Sequence, residues 1–292
     1  MKRIFNYTID ADHAGLTILS YLKGLGYSQP VLRHLKETTN GIMRNGVWAR
    51  VREELHTGDI LTITLIENNC SDIIPVKIPL DIIYEDEDLM IINKQAHLPI
   101  HPSQGHYTNT LANGLAYYFS EKSDSFVYRC MNRLDRDTTG LLIVAKHMLS
   151  AAILSQMVAN REIHREYQAI ATGEVEPFGT ITAPIARVCD STIERCVDYK
   201  TGEYACTHFT RLAYKNGYSL VSLKLDTGRT HQIRVHMKHI NHPLPGDFLY
   251  NPDYRKMDRQ ALHSCRLEFL HPITKEHMIF TAPLPEDMQW IL

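Results

Sequence analysis

The sequence predicts an α+β protein, in which a small N-terminal α/β module precedes a large domain built on a mainly antiparallel, mixed β-sheet with flanking helices. Two observations predict this fold class. Two short helical patterns and a hairpin pattern precede residue 68, and from Pro75 onward apolar strand patterns alternate with few, short helices rather than in a regular βαβ repeat. We therefore divide the chain into a module (1–68), a linker (69–79) and a main domain (80–292).

Four patterns define the module. Apolar residues recur at helical spacing over Leu16–Leu22 and again over Pro30–Lys36. The Asn45-Gly46 dipeptide is a strong hairpin signal, and the alternating residues of Gly58–Leu65 predict a strand.

This helix-helix-hairpin order resembles the alpha-L-type RNA-binding module of some ribosomal proteins, synthetases and RNA-modifying enzymes. The basic residues expected on its second helix are reduced here to Arg33 and Lys36. A generic packing domain is the alternative. The polar run from Asn68 to Asp72 predicts the linker.

In the main domain, Asp86–Lys94 predicts an apolar strand after a turn, and His97–Pro102 a constrained loop. Met148–Val158 is the clearest helix, and Ile163–Thr172 returns as a strand that carries Tyr167.

A further helix is predicted near residue 233. Gly228 and Thr230 are typical of a turn and a helix N-cap, and apolar residues recur at i, i+4 and i+7 from Ile233. Arg234 therefore lies in the first turns of a helix that ends before Pro243.

The most informative segment is Asn132–Lys146. Its loop, Asn-Arg-Leu-Asp-Arg-Asp-Thr-Thr-Gly, carries two arginines, two carboxylates and two hydroxyls and leads straight into an apolar strand. So much charge beside a buried strand is costly unless the charges have a function. The alternative is that Asp135 and Asp137 are solvated or pair locally with Arg133 and Arg136.

The run Asp135–Thr139 also fits the Asp-x-Asp-x-Thr pattern of phosphatases that use an aspartate nucleophile with magnesium. In that fold the motif follows the carboxyl end of an apolar strand, whereas here the apolar run comes after it. The reversed context makes a phosphatase the weaker interpretation.

Composition limits the function classes. The first residues lack the apolar core of a signal peptide and no segment has the length of a membrane span, so we expect a soluble, cytoplasmic protein. The six cysteines contain no Cys-x-x-Cys pair, which favours reduced thiols over disulfides or zinc. Because the net charge is only −2, RNA binding would require a local basic face.

Four histidines, His231, His236, His239 and His242, suggest a metal site at first sight. The first three spread over different faces of the predicted helix, and no acidic or thiol partner lies nearby at ligand spacing. We expect no metal, and we assign these histidines to hydrogen bonding or to stacking near RNA.

Three segments resemble, in order and in spacing, the core motifs of the RluA/RluD-type pseudouridine synthases. These segments are Asn132–Leu142, Arg165–Gly173 and Gly228–His236, and two flanking segments, Asn93–Pro102 and Leu262–Pro272, agree with them. The match covers about residues 80 to 292, and the family often carries a small RNA-binding module in front. This chain has Asn132 where the family usually has histidine, so we expect altered contacts beside the loop.

The resemblance implies roles for four side chains. Asp135 is the catalytic aspartate that attacks, or assists cleavage at, the target nucleoside so that uracil can detach, rotate and rejoin through carbon. Arg234 would pair with Asp135 and keep it ionised. Tyr167 would lie against the uracil face and act as a base, and Arg133 would fill the stack that the flipped uridine leaves.

Three more arginines, Arg136, Arg165 and Arg229, would hold phosphates nearby, with surface or structural ion pairs as the alternative. We therefore expect a monomeric isomerase without cofactor or metal that converts uridine to pseudouridine in structured RNA. Large-subunit ribosomal RNA is the first choice of substrate, and transfer RNA the second. The rivals are a catalytically silent RNA-binding protein, which has no need of the catalytic set, and a magnesium-dependent aspartate phosphatase.

Overall fold

The computed structural model describes residues 1–68, 72–122 and 126–289 of the chain. Within these ranges no helix is both long and apolar enough to cross a membrane. The middle of the polar run predicted as a linker, including Cys70, lies outside the described residues.

The first 68 residues form a small antiparallel sheet with two helices. The elements are β1 (Lys2–Thr8), a 3-10 turn (Ala11–His13), α1 (Ile18–Gly24), α2 (Gln29–Glu37), β2 (Ile42–Arg44), β3 (Val47–Trp48) and β4 (Ile60–Ile66). The strands pair in the order β1-β4-β2-β3. Asn45 and Gly46 have φ of 52° and 79°, the left-handed values that a two-residue hairpin turn requires. Leu16 lies outside α1, because Thr17 caps that helix by accepting the Ser20 N–H.

One large sheet organises the rest of the described chain. In chain order the elements are β5 (Ile82–Glu85), β6 (Leu89–Lys94), α3 (Leu111–Glu121), β7 (Thr139–Ala145), α4 (Met148–Ala159), β8 (His164–Thr172), β9 (Phe178–Thr182), β10 (Ile185–Arg187), β11 (Arg195–Val197), β12 (Cys206–Lys215), β13 (Tyr218–Leu225), α5 (Gln232–His239), β14 (Leu262–Leu270), β15 (His277–Thr281) and α6 (Glu286–Gln289). The sheet order is β5-β6-β7-β14-β8-β13-β12-β9, with β15 beside β14, whereas β10 and β11 form a separate ribbon.

The strands of this sheet pair in antiparallel fashion except at its centre, where β7 and β14 run parallel among the described strands. Their backbones approach closely at Gly140, which has φ 111°. A β-carbon there would lie 2.2 Å from the carbonyl oxygen of Ser264, so only glycine fits. The predicted α+β class, with a mainly antiparallel mixed sheet and few helices, is confirmed.

Two apolar cores lie on the two faces of the main sheet. Every residue of β7 is buried, and its side chains alternate between the faces. Leu141 and Ile143 join a core that includes the N-terminal helices, whereas Leu142 and Val144 join a core that includes Tyr167. The N-terminal module therefore covers one face of the sheet, and the polar loop that precedes β7 opens toward the other.

Candidate active site

The loop before β7 presents Asp135, whose side chain is 28% exposed. Thr138 donates its N–H to the Asp135 carbonyl oxygen at 3.1 Å, which closes a turn. At the start of the loop, the side-chain oxygen of Asn132 accepts the Ile143 N–H at 2.8 Å. The unusual Asn132 thus anchors the loop to the backbone of β7.

Lys94 supports the same loop from inside the protein. Its side chain is 1% exposed, and its Nζ donates to the carbonyl oxygens of Gln95 and Arg136, both at 2.8 Å. Burial lowers the pKa of Lys94 to about 7, although Asp137 and Asp135 act in the opposite direction. The amine therefore fixes the backbone of the loop that carries Asp135.

Arg234 reaches Asp135 from the first turn of α5. Its Nη1 donates to Asp135 Oδ2 at 2.7 Å, while its Nε and Nη2 bind both oxygens of Asp247 at 2.7 and 2.8 Å. Burial alone would lower the pKa of Arg234, but hydrogen bonds and attraction from Asp247 and Asp135 hold that pKa above its usual value. A permanent positive charge thus faces Asp135.

Asp247 is a site residue that sequence reasoning missed. It is completely buried, and its Oδ1 also accepts the backbone N–H groups of Leu249 and Tyr250 at 3.1 and 3.2 Å. The only signal in the sequence is an acidic residue within the apolar run Pro-Leu-Pro-Gly-Asp-Phe-Leu-Tyr.

The start of α5 corrects a sequence prediction. The N-cap is His231 rather than Thr230, and it has a left-handed φ of 58° without a side-chain capping bond. Its imidazole faces the site instead: Nδ1 lies 2.9 Å from the Tyr250 hydroxyl and Nε2 lies 3.8 Å from Asp135 Oδ2.

Gln232, another residue that the sequence motifs do not single out, holds the loop before α5. Its Oε1 accepts the Thr227 hydroxyl at 2.8 Å and the Arg229 N–H at 3.0 Å. Its Nε2 donates to the Cys206 carbonyl at 2.9 Å and to Thr207 Oγ1 at 3.0 Å. A fully bonded buried amide therefore fixes this loop against β12.

Asp135, Tyr167 and Arg234 meet in one small pocket of about 60 Å³, together with Arg133 and His231. Tyr167 projects from β8 and is 5% exposed. Burial raises its pKa, although nearby Arg165 lowers it in part. The structure thus brings the three predicted catalytic side chains together around a single depression.

The pocket adjoins a cleft of about 950 Å³. Arg133, Tyr167, Leu225 and Arg229 line both of them. Among its described lining residues, the cleft carries six arginine or lysine side chains (Arg133, Arg161, Arg165, Lys224, Arg229, Arg266) and three carboxylates (Glu166, Asp226, Glu268). A local basic face therefore exists on a molecule with a net charge of −2.

Two of the four predicted RNA-contacting arginines have free or partly free guanidinium groups. Arg133 is exposed and has no hydrogen-bond or ion-pair partner among the described residues. Arg165 is half-buried in the cleft wall beside Tyr167. Both side chains are available to a phosphate or a base.

The other two predicted arginines form ion pairs. Arg136 binds both oxygens of Asp137 at 2.9 and 2.8 Å, and Arg229 pairs with Glu203. The alternative that charges of this loop pair with each other therefore holds for Arg136 and Asp137. Asp135 pairs instead with Arg234, which is distant in the sequence. The two aspartates of the loop thus have different partners, unlike carboxylates that share a magnesium ion.

Three of the four histidines near α5 lie within hydrogen-bond distance of protein groups, whereas His239 is exposed beside the ring of Tyr199. His236 lies between Thr207 Oγ1 and the Ala183 carbonyl at 2.8 and 2.9 Å, and His242 lies 2.8 Å from the Thr172 carbonyl.

Among the described residues, the groups with metal-ligand spacing are Cys206–His208–Asp226 and Asp86–Asp88–His271, and neither includes these histidines. In each group a histidine–aspartate pair, at 3.0 and 2.9 Å, accounts for the proximity.

Comparison with known proteins gives the family. Residues 88–239 match the family model described as RNA pseudouridylate synthase. The chain belongs to the RNA pseudouridylate synthase family. The Bacillus subtilis protein named uncharacterized RNA pseudouridine synthase YjbO is 40% identical over 279 residues, which cover 95% of this chain and 98% of that protein. Ribosomal large subunit pseudouridine synthase D of Escherichia coli is 41% identical over 228 residues, 73% of this chain and 70% of that protein.

Solved structures agree with this pseudouridine synthase assignment. Human RNA pseudouridylate synthase domain containing 1 aligns with a TM-score of 0.59 at 27% identity, over 70% of this chain and 83% of that one. The enzyme is thus an RNA pseudouridine synthase, an isomerase, and the RluA/RluD-type resemblance seen in the sequence is confirmed.

Proposed function

We propose that this pseudouridine synthase acts on large-subunit ribosomal RNA and uses Asp135 as its catalytic carboxylate. The observation that carries the proposal is the environment of Asp135. It lies in a pocket beside a basic cleft, partly exposed, with a buried arginine 2.7 Å away. Such a carboxylate is accessible to a nucleoside and is held in one direction.

The reaction is an isomerisation, so no atom enters or leaves overall. The bond from ribose C1′ to uracil N1 breaks, and a bond from C1′ to C5 forms. N1 gains a proton, and C5 loses one. Asp135 assists cleavage of the bond at the sugar, while Arg234 fixes the direction of the Asp135 carboxylate.

Tyr167 packs against the uracil ring in this proposal. It is buried in the pocket wall, and burial raises the pKa of its phenol, so the hydroxyl is protonated at neutral pH. A protonated phenol supports the packing role more than the role of free base, which the resemblance also implies.

Arg133 takes the place of the flipped uridine in the RNA stack. Its guanidinium is exposed at the junction of pocket and cleft, two residues before Asp135. A planar cation is suited to stacking between bases. Arg165 and the other basic residues of the cleft then contact phosphates.

The RNA-binding role of the N-terminal module is part of the same proposal. Arg33 and Lys36 are both exposed on α2, where they are accessible to phosphates. The choice of ribosomal RNA is supported by relatives named ribosomal large subunit pseudouridine synthase D, such as the Escherichia coli protein.

Asp135→Asn tests the catalytic role. The amide keeps the size of the side chain but removes its negative charge, so we expect turnover of a large-subunit RNA substrate to fall by several powers of ten with RNA affinity retained. Pseudouridine is measured by mass spectrometry of the digested RNA. The control is Asp190→Asn, an exposed aspartate in a left-handed turn that asparagine also accepts.

The substrate is tested in cells with and without the gene. We expect a pseudouridine to be lost from large-subunit ribosomal RNA and restored by the wild type but not by Asp135→Asn. Loss from transfer RNA alone would contradict the ribosomal assignment, and near-normal turnover by Asp135→Asn would contradict the role of Asp135.

A further inference from the structure

His231 is a strained residue next to the catalytic carboxylate. Its left-handed φ of 58° at the start of α5 is unfavourable for a residue with a β-carbon, by about 1 kcal/mol or more. Its side chain makes no capping bond that would explain the conformation. Strain of this kind persists where the surroundings enforce it, often at functional sites.

The surroundings of His231 fix the orientation of its ring. Nδ1 lies 2.9 Å from the Tyr250 hydroxyl, whose oxygen also accepts the Arg195 N–H at 2.9 Å. Burial lowers the pKa of His231, although Asp135 acts in the opposite direction, and the lowered pKa favours the neutral imidazole. If the Tyr250 hydroxyl donates a hydrogen bond to Nδ1, both the hydroxyl and Nδ1 have hydrogen-bond partners. The imidazole proton then lies on Nε2.

That Nε2 faces one particular oxygen of Asp135. Nε2 lies 3.8 Å from Oδ2, the oxygen that already accepts Arg234 Nη1 at 2.7 Å. Among the described residues, none donates a hydrogen bond to Oδ1. The two oxygens of the carboxylate are therefore unequal: Oδ2 faces the protein, and Oδ1 is free.

We propose that His231 is a positioning residue for Asp135. When uridine enters, the Nε2–H of His231 forms a hydrogen bond with Oδ2 of Asp135, so that Oδ1 is the reacting oxygen. The proposal rests on the catalytic role of Asp135 proposed above. Arg234 and His231 then hold Oδ2 from two directions, so the carboxylate cannot rotate about its Cβ–Cγ bond. A carboxylate fixed in this way needs no reorientation during the reaction.

Two substitutions at His231 separate positioning from a structural role. Glutamine places an N–H donor close to the position of Nε2. Asparagine places a polar group close to Nδ1, beside Tyr250, and it also tolerates the left-handed backbone better than glutamine does. If His231 is structural, the asparagine variant should be the better enzyme, whereas positioning of Asp135 predicts the reverse.

We expect single-turnover rates at saturating RNA to fall about 100-fold in His231→Asn and clearly less in His231→Gln, with unchanged RNA affinity in both. Tyr250→Phe removes the hydroxyl that sets the tautomer, and we expect about a tenfold fall. Thermal unfolding of the three variants shows whether stability follows the same order as the rate.

Asp135→Asn is measured beside them. If it is inactive while His231→Asn is as active as His231→Gln or more so, the positioning role is wrong and the role of Asp135 stands. If Asp135→Asn is itself active, the proposed function is wrong. A rate order that copies the order of unfolding temperatures also overturns the positioning role.

Discussion

Arg234 is a charged side chain in the protein interior, and its partners decide whether that position is stable. It is 1% exposed, and Asp247 satisfies two of its donors while Asp135 satisfies a third. A buried charge that loses one partner is costly, because its desolvation is no longer compensated. Asp247 therefore stabilises the protein and also orients the guanidinium toward Asp135.

Asp247→Asn tests this dependence. We expect a loss of about 3 kcal/mol in the free energy of unfolding, because one of the two charges that compensate Arg234 disappears. Turnover should also fall, since Arg234 is no longer held in place. Urea unfolding measures the first effect. The control Asp253→Asn concerns a partly exposed aspartate paired with exposed Arg255, and it should change the unfolding midpoint little.

Arg133→Ala tests base flipping. If Arg133 takes the place of the flipped uridine, its guanidinium offsets part of the few kcal/mol lost when a base leaves the stack. The variant should therefore be strongly impaired on a stem-loop RNA and much less on a short RNA whose uridine is already unstacked. Arg133→Lys should recover only part of the loss, because an ammonium does not stack as a guanidinium does. Equal defects on both RNAs would assign Arg133 to the chemistry or to structural support.

The sequence motifs contain Asp135, Tyr167 and Arg234, because a resemblance carries over residues that lie inside its segments. Asp247 lies outside those segments, and its importance depends on a buried contact across 13 residues. The interaction of His231 with Tyr250 likewise depends on the left-handed backbone of His231, which no local sequence pattern predicts. Residues that support others through tertiary contacts are thus the ones that sequence reasoning missed.

At the scale of the elements, the strands and the longest helix are predicted well because their apolar residues recur regularly over many positions. The sequence predicts a helix over Met148–Val158, and α4 spans Met148–Ala159. It predicts a strand over Ile163–Thr172, and β8 spans His164–Thr172. Pairing between strands is different. The parallel contact of β7 with β14 joins Gly140 to Ser264, and no local pattern specifies a partner so far along the chain.

Gly140→Ala tests that central pairing. The added methyl group would lie 2.2 Å from the Ser264 carbonyl oxygen, so β7 and β14 must separate. We expect a loss of about 3 kcal/mol or more in the free energy of unfolding, measured by urea denaturation. The control Gly217→Ala also concerns a glycine with a positive φ, here 82°, but open space surrounds it, and the substitution should cost only about 1 kcal/mol. Similar losses in both variants would show that backbone strain, not the close approach, limits position 140.

At the scale of the whole molecule, the module and the main sheet are joined by one apolar core. Leu22 and Leu35 of the module belong to the same buried cluster as Leu141 and Ile143 of β7. The ion pair of Arg3 with Asp88 at 2.8 Å adds a polar contact between them. Deleting residues 1–68 would uncover this core, so charge reversal in the full chain is the better test of RNA binding by the module.

Reversing the charges of Arg33 and Lys36 together tests the module. If α2 contacts phosphates, Arg33→Glu with Lys36→Glu should weaken RNA binding and reduce the slope of log affinity against log salt concentration by about 1 to 2. Turnover at saturating RNA should change little. The control pair, Lys256→Glu with Lys275→Glu, has the same charge change outside the module and the cleft lining. Equal salt slopes for both pairs would contradict RNA binding by α2.

During translation, the module residues of the shared core are synthesised before the main-domain residues that cover them. The module is complete at Ile66, but its apolar cover includes Ile153 of α4 and Phe269 of β14. At ordinary elongation rates, roughly 4 to 17 s pass before residue 153 is added, and roughly 10 to 40 s before residue 269. The apolar face of the module therefore stays uncovered on the nascent chain throughout that interval, where chaperones or neighbouring nascent chains have access to it.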